Sequence, residues 1–513
     1  MFRVGQGPFG LRTDDLWPGA YSSILGDAQG GHADACSGDA TQRDEMSSED
    51  PTTPDTPDGP DDDAERELLV RLGAAMTVAG DSIDEVGSRL TAIARARGVT
   101  DLSLVVLPTA LFVQTGTGQD AHVQLEAYPN QNARLDQIGE LYELLDRAEE
   151  STLDARDGVR ELDRILASPP TFGPLVRTIG LGVLSVGFAL SLQPTLPVAV
   201  AAFVLGTFVG VLRLLRWPGL QAVLPVIATF VVASIVFATA EVLEGGNPLR
   251  TLIPPLVTFL PGAVLTTGMR DLSAGQVISG ASRLVQGIVV LALLAFGIVA
   301  AATLVGTPSS ELLDRPVSRL GPWAPWVGLL FVAVGTHLHH CAARRAMPWI
   351  LAVLVIAYGG QSIGAAVFSA ELSSFFGALA MTPAVLWIER FRIGPPSLVT
   401  FLPAFWFLVP GAAGLIGVTE MVGTDSALGL ADFTDSLGTV IEIALGVLIG
   451  TAAFRAGAAG FQEAVRTIPP QVTRTRRAVR WPRRHGSVAS DDEPAEGEQQ
   501  DGRPRPQQIG DDW

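Results

Sequence analysis

The chain contains no lysine, so every one of its 35 fixed cationic side chains is an arginine. It has 2 cysteines in 513 residues, Cys36 and Cys341, which offers no disulfide framework. Charge of either sign is scarce. Charged residues make up 17% of the chain, against about a quarter in an ordinary soluble domain. Between Pro170 and Gly460 there are only 12 acids and 13 arginines. So little charge over so long a stretch excludes a water-facing surface, and with it a string of soluble domains. A net charge of −18 excludes a basic nucleic-acid binder. What is plentiful is apolar: hydrophobic residues reach 48% and mean hydropathy is +0.33. The chain reads as a polytopic α-helical membrane protein.

The acidity is concentrated at the two ends. Residues 1–63 hold 14 acids against 3 arginines, and residues 485–513 hold 8 against 2. The first segment, rich in Asp, Gly, Ser, Thr and Pro, is expected to be a disordered acidic tail. It has no apolar run behind a basic flank, so it does not read as a signal peptide. Residues 461–513 read as a cytosolic tail, Arg-rich and then acidic. Its six arginines from Arg474 to Arg484, beside Trp481, are expected to lie on anionic lipid headgroups.

Residues 64–170 carry the pattern of a small α+β cytosolic domain. Leu68, Leu69, Leu72, Ala75 and Met76 sit at helical spacing. Gly80 then breaks the pattern, and Ser82 with Glu85 reads as a capping box opening a helix that runs to about Gly98. Strands are expected over 102–107, 110–115 and 121–128, followed by helices over 135–149 and 154–167.

From residue 175 onward the spacing predicts spans at 175–192, 196–215, 220–240, 250–268, 284–305, 323–340, 347–369, 372–388, 397–418 and 438–458. Arginines follow every even-numbered span: Arg213 and Arg216, Arg270 and Arg283, Arg344 and Arg345, Arg390 and Arg392, then the basic tail. The acidic loops, such as the one holding Glu420, Asp425, Asp432 and Asp435, fall on the opposite side. By the positive-inside rule both termini are cytoplasmic and there are about ten transmembrane helices.

An internal repeat gives the strongest pointer to function. Leu256-Val257-Thr258-Phe259-Leu260-Pro261 recurs as Leu398-Val399-Thr400-Phe401-Leu402-Pro403, 142 residues later. Prolines precede both copies, and a Pro-Gly pair follows in each half: Pro261-Gly262 and Pro410-Gly411. The motif lies in the fourth of five spans in each half. Two five-span halves, 171–306 and 307–460, enter the membrane in opposite senses and form an inverted repeat. Paired proline-broken segments expose backbone amides and carbonyls that survive only in protein or beside a wet cavity. The expected substrate contacts are therefore Thr258, Pro261, Gly262, Thr266, Thr400, Pro403, Pro410 and Gly411.

Ionisable groups within or beside the spans are the second pointer. Asp271, just after the broken fourth span, and Glu442, about a turn inside the tenth, are the candidate proton carriers. His337, His339, His340 and Cys341 look like ligands on paper, but beside Arg344 and Arg345 they read as interfacial residues. No metal and no cofactor is expected.

Ala75-Met76-Thr77-Val78-Ala79-Gly80-Asp81-Ser82, continuing through Glu85-Val86 to Ala94-Arg95-Ala96-Arg97-Gly98-Val99, resembles the N-terminal module of the threonine/serine exporter family. Pro261-Gly262-Ala263-Val264-Leu265-Thr266, Arg270-Asp271-Leu272, Gly275, Gly280 and Arg283 are similar to its first membrane half, and Leu408-Val409-Pro410-Gly411 to its second. The resemblance implies a ten-span protein of the bacterial cytoplasmic membrane with a cytosolic N-terminal domain. It further implies export of threonine and serine driven by protons, and no enzyme activity. Assembly with a second copy of the chain stays open. The alternative is a membrane-anchored regulatory or hydrolase-like protein whose function resides in residues 64–170.

Overall fold

In the computed structural model, which describes residues 60–99, 101–116, 121–127, 133–192, 195–215, 218–240, 247–308, 320–369, 372–391, 393–408, 410–423 and 427–467, helix dominates. The expectations for residues 1–59 and 468–513 lie outside the described residues. Residues 1–458 form one compact unit and 459–513 a second; the packing below concerns the first.

Apolar residues at helical spacing carry α1 (Pro60–Ala79), which starts four residues before the expected boundary. Leu68, Leu69, Leu72 and Met76 are fully buried on it. Gly80, at φ +101°, ends the helix, and the Asp81 amide donates back to the Met76 carbonyl at 3.2 Å. This is a Schellman-type stop that a residue with a Cβ would strain. Ser82 then caps α2 (Ile83–Ala96) by accepting from the Glu85 amide at 3.4 Å. The return bond of a capping box is absent among the described residues.

β1 (Leu102–Val106), β2 (Ala110–Thr115) and β3 (His122–Ala127) form an antiparallel sheet in that order. Leu111 and Val113 face inward and are fully buried. α1 approaches them so closely that a Cβ on Gly73 would lie 2.5 Å from the Leu111 side chain. α3 (Leu135–Glu149) and α4 (Ala155–Ala167) complete this part, with Asp154 capping α4 through the amides of Arg156 and Asp157. Arg97 clamps both oxygens of Glu65 at 2.5 and 2.6 Å and donates to the Leu153 carbonyl at 2.8 Å. One guanidinium thereby ties α1 to the α3–α4 turn.

Each expected span coincides with a helix or a helix pair: α5 (Pro174–Leu192), α6 (Leu196–Leu212), α7 (Pro218–Ala238), α8 (Pro248–Leu256) with α9 (Gly262–Ser273), α10 (Val277–Val305), α11 (Ala324–His339), α12 (Met347–Val367), α13 (Ser373–Glu389), α14 (Ser397–Phe407) with α15 (Pro410–Gly423), and α16 (Ala427–Thr467). Among the described residues four helical stretches are long and apolar enough to cross a membrane, or five if the bent α8–α9 pair is one span. Five further apolar helices are shorter. α10 displays Val285, Val289, Leu293, Phe296 and Leu304 as exposed residues along much of its length. An exposed apolar face of this length is what a helix that crosses a membrane presents.

Glycines set the closest helix crossings. A Cβ on Gly335 of α11 would lie 2.5 Å from Leu184 Cα of α5, one on Gly187 2.7 Å from the Val332 amide, and one on Gly180 2.6 Å from Leu338. Residue numbers rise on α5 as they fall on α11, so the two helices cross antiparallel. Backbone-to-backbone contact of this kind needs small residues and is typical of packing without water.

Candidate functional site

The first broken helix is built by its prolines. Pro254 and Pro255 lie in α8, which gives way at Leu256 to a 3-10 turn over Val257–Phe259. Leu260 is extended, Pro261 takes φ −82° and ψ 27°, and α9 sets off at 68° to α8. Proline supplies no amide donor and pushes away the carbonyl four residues back, so the ladder cannot cross this point. Thr258 Oγ1 and Thr266 Oγ1 are both buried and have no hydrogen-bond partner among the described residues. Thr266 itself is 1% exposed. Hydroxyls of helical threonines ordinarily bond back to their own helix; these two do not. Pro261 and Gly262 are buried at the start of α9.

The second half departs from the repeat as read. Leu398 to Pro403 lies inside α14, which runs on through Pro403 to Phe407. α14 ends at Phe407, capped by Leu408, and α15 opens at Pro410. Thr400 is fully buried and donates back to the Ser397 carbonyl at 3.1 Å. Of the expected contacts, then, Thr258, Pro261, Gly262 and Thr266 gather at a break. Pro410 and Gly411 start a helix, while Thr400 and Pro403 are part of a continuous one. α9 packs against both α14 and α15, and α15 also packs against α10. The second arm of the break in the first half thus neighbours both helices that carry the corresponding residues of the second.

The carboxylates sort differently from expectation. Asp271, fully buried in the last turn of α9, accepts from the Ile83 amide at 3.1 Å and pairs with Arg283 Nη1 at 3.3 Å. Glu442 is half-buried well within α16, which begins at Ala427 and so extends the tenth segment by some three turns. Glu420, read from the sequence as a loop residue, lies in α15 and is 1% exposed. The apolar run continuing through Met421 and Val422 was the available signal.

Arg283 also links the membrane helices to the N-terminal segment, donating through Nη2 to the Asp81 carbonyl at 3.2 Å. The Asp81 side chain is itself buried, taking the Tyr142 hydroxyl at 2.7 Å on Oδ1 while Oδ2 has no partner among the described residues. Burial pushes this carboxyl up to about 7, although the Tyr142 bond opposes the shift and the Glu85 carboxylate adds to it. Burial and the facing Asp81 carboxylate hold the Tyr142 phenol well above its ordinary value. The sequence does not single out Asp81, because a polar residue after a helix-ending glycine reads as a loop. His337 and His339 turn Nδ1 to the backbone carbonyls of Ala342 and Arg177, at 2.5 and 2.8 Å.

Comparison with known proteins agrees with the family resemblance. Residues 67–305 match the family described as "Putative threonine/serine exporter". A "Probable threonine/serine exporter" of Mycobacterium tuberculosis is 22% identical over 406 residues, covering 75% of each chain. The "Pheromone-regulated membrane protein 10" of Candida glabrata is 22% identical over 424 residues. That match takes in 75% of this chain and 52% of the yeast protein, so the chain spans about half of that relative's length. The protein of the same name from Zygosaccharomyces rouxii is 24% identical over 48% of this chain and 28% of its own. No solved structure matches. The resemblance holds over the matched stretch, and the family is one of membrane exporters rather than enzymes.

Proposed function

We propose that the chain is a secondary active exporter of small hydroxylated amino acids, threonine and serine, driven by protons across a bacterial cytoplasmic membrane. In this reading the ten helices and helix pairs from α5 to α16 are ten spans in two inverted five-span halves, 171–306 and 307–460, with both termini cytoplasmic. Residues 64–170 are then a cytosolic module. The antiparallel crossing of α5 and α11 supports it: these are the first spans of the two halves, and an odd-span repeat turns the second copy upside down. The mycobacterial relative's name supports the substrate class.

The observation that carries the proposal is the break at 257–261, where two buried threonine hydroxyls stand without partners beside the start of α9. Unpaired amides at a half-helix N-terminus favour a carboxylate. Thr258 and Thr266 then offer donors and acceptors for the ammonium and hydroxyl of the same zwitterion. Thr400, Pro403, Pro410 and Gly411 are kept as the opposite wall. Asp271 and Glu442 are the proton carriers named by the sequence, with Arg474–Arg484 on anionic lipid.

Cells loaded with a threonine dipeptide should release threonine when the chain is present at the membrane. Thr258→Val combined with Thr266→Val should abolish that release at equal membrane abundance. Undiminished release in the double variant removes the site from residues 257–266.

A further inference from the structure

Glu420 has no part in the reading above, yet it is a carboxylate buried in a membrane helix. Such a group is costly and needs a cation, a proton or a function. Its position is not isolated. It follows Asp271 by 149 residues, and the same interval recurs along both helices. α9 opens with Pro261-Gly262-Ala263 and α15 with Pro410-Gly411-Ala412; Gly268 and Gly417 come next, then Asp271 and Glu420.

The interval also appears in packing far from these residues. A Cβ on Gly297 of α10 would lie 3.0 Å from the Val226 carbonyl of α7. One on Gly446 of α16 would lie 2.6 Å from the Phe375 carbonyl of α13. Val226 and Phe375, like Gly297 and Gly446, are 149 residues apart. The third and fifth helices of each half thus meet at corresponding glycines. Independent features that share one interval mark Asp271 and Glu420 as the same position in two copies of one unit.

We propose that Asp271 and Glu420 are a symmetry-related pair of proton-binding carboxylates, one at each mouth of the substrate site. This rests on the inverted, proton-driven exporter reading. Inversion sends the last turns of α9 and α15 toward opposite faces of the membrane, so each carboxylate serves one vestibule. Glu420 takes a proton from the outer solution, an O–H bond forming on the carboxylate as water is left behind. Asp271 loses its proton to cytosolic water, and its charge then returns to Arg283. The groups facing Asp271 are Arg283, Arg270 and Asp84, with the Ile83 amide. Among the described residues, α8, α9 and α10 pack most closely against α15, and their charged residues are Arg250, Arg270 with Asp271, and Arg283.

The full-length wild-type chain in liposomes, treated with dicyclohexylcarbodiimide, should be labelled at Glu420 and Asp271. Labelling should fall as pH rises, because the reagent needs the protonated acid. In the same vesicles Glu420→Gln should lose threonine movement driven by a pH gradient. Glu420→Asp should keep it with a displaced dependence on outer pH, and Asp271→Glu with a displaced dependence on inner pH. Absence of label on Glu420 at every pH overturns the proposal, as does wild-type pH dependence in Glu420→Gln. Wild-type vesicles that move neither threonine nor serine would instead remove the exporter reading, while the labelling still reports whether Glu420 binds a proton.

Discussion

Replacing Asp81 by Asn should stabilise the protein by an amount that grows from about pH 4 and is greatest at neutral and alkaline pH. The ordinary carboxyl value is 3.8, and burial raises Asp81 to about 7. Below pH 3.8 the folded and unfolded chains both hold this proton. Between there and about 7 the unfolded chain has released it and the folded chain retains it, so folding loses stability as pH rises through that window. Above about 7 the buried charge stands at its full cost. A difference of roughly 3 units corresponds to about 4 kcal/mol. Asparagine mimics the protonated acid, since its Oδ1 can still accept from the Tyr142 hydroxyl. The gain of Asp81→Asn over wild type should therefore be near zero at about pH 4 and grow to a plateau of about 4 kcal/mol above neutrality. Melting curves of the detergent-solubilised chain across this range are the assay. Wild-type and variant curves that stay parallel at all pH values would refute the reasoning. Asp81 sits where Arg283 joins the N-terminal segment to α10.

Other expectations follow from the contacts. Gly280→Leu should separate α9 from α10, because even a Cβ there would lie 2.7 Å from the Gly268 carbonyl and 2.8 Å from the Leu272 amide. Overpacking of this kind costs roughly 1–3 kcal/mol, read as a lower melting temperature, and gradient-driven threonine efflux should fall with it. Gly335→Leu faces Leu184 backbone at 2.5 Å, which cannot swing aside. It should sharply reduce the yield of monodisperse protein on size-exclusion chromatography. Thr400→Val should reduce efflux much less than Thr258→Val, since the Thr400 hydroxyl is already spent on the Ser397 carbonyl. Equal losses in the two variants would restore Thr400 as a substrate contact.

Helix boundaries in the N-terminal segment were legible because local chemistry writes them. Ser82 and Asp154 cap as their types predict, Gly80 and Gly98 take positive φ, and β2 spans the residues expected of it. The break at 257–261 was legible for the same reason, since proline acts on its own backbone. Asp81 and Glu420 were not, because burial is settled by what packs on top. Nothing within ten residues of Asp81 announces Tyr142 or Arg283.

The repeat shows the same division between local and distant information. Six identical residues pointed to an interval of 142, yet in the second half they lie within α14 rather than at its end. The Pro-Gly starts, the buried carboxylates and the glycine contacts share an interval of 149. The difference of seven residues is about two helical turns, so the identical segment keeps its face of the helix while shifting along it. Apolar side chains tolerate such a slide because lipid and neighbouring helices ask only for volume and hydrophobicity. A helix start, a buried charge and a backbone contact cannot slide, since each depends on one particular atom. The sparse, chemically constrained positions are thus the better guide to corresponding sites in the two halves. By that guide, Glu420 is the residue to place beside Asp271.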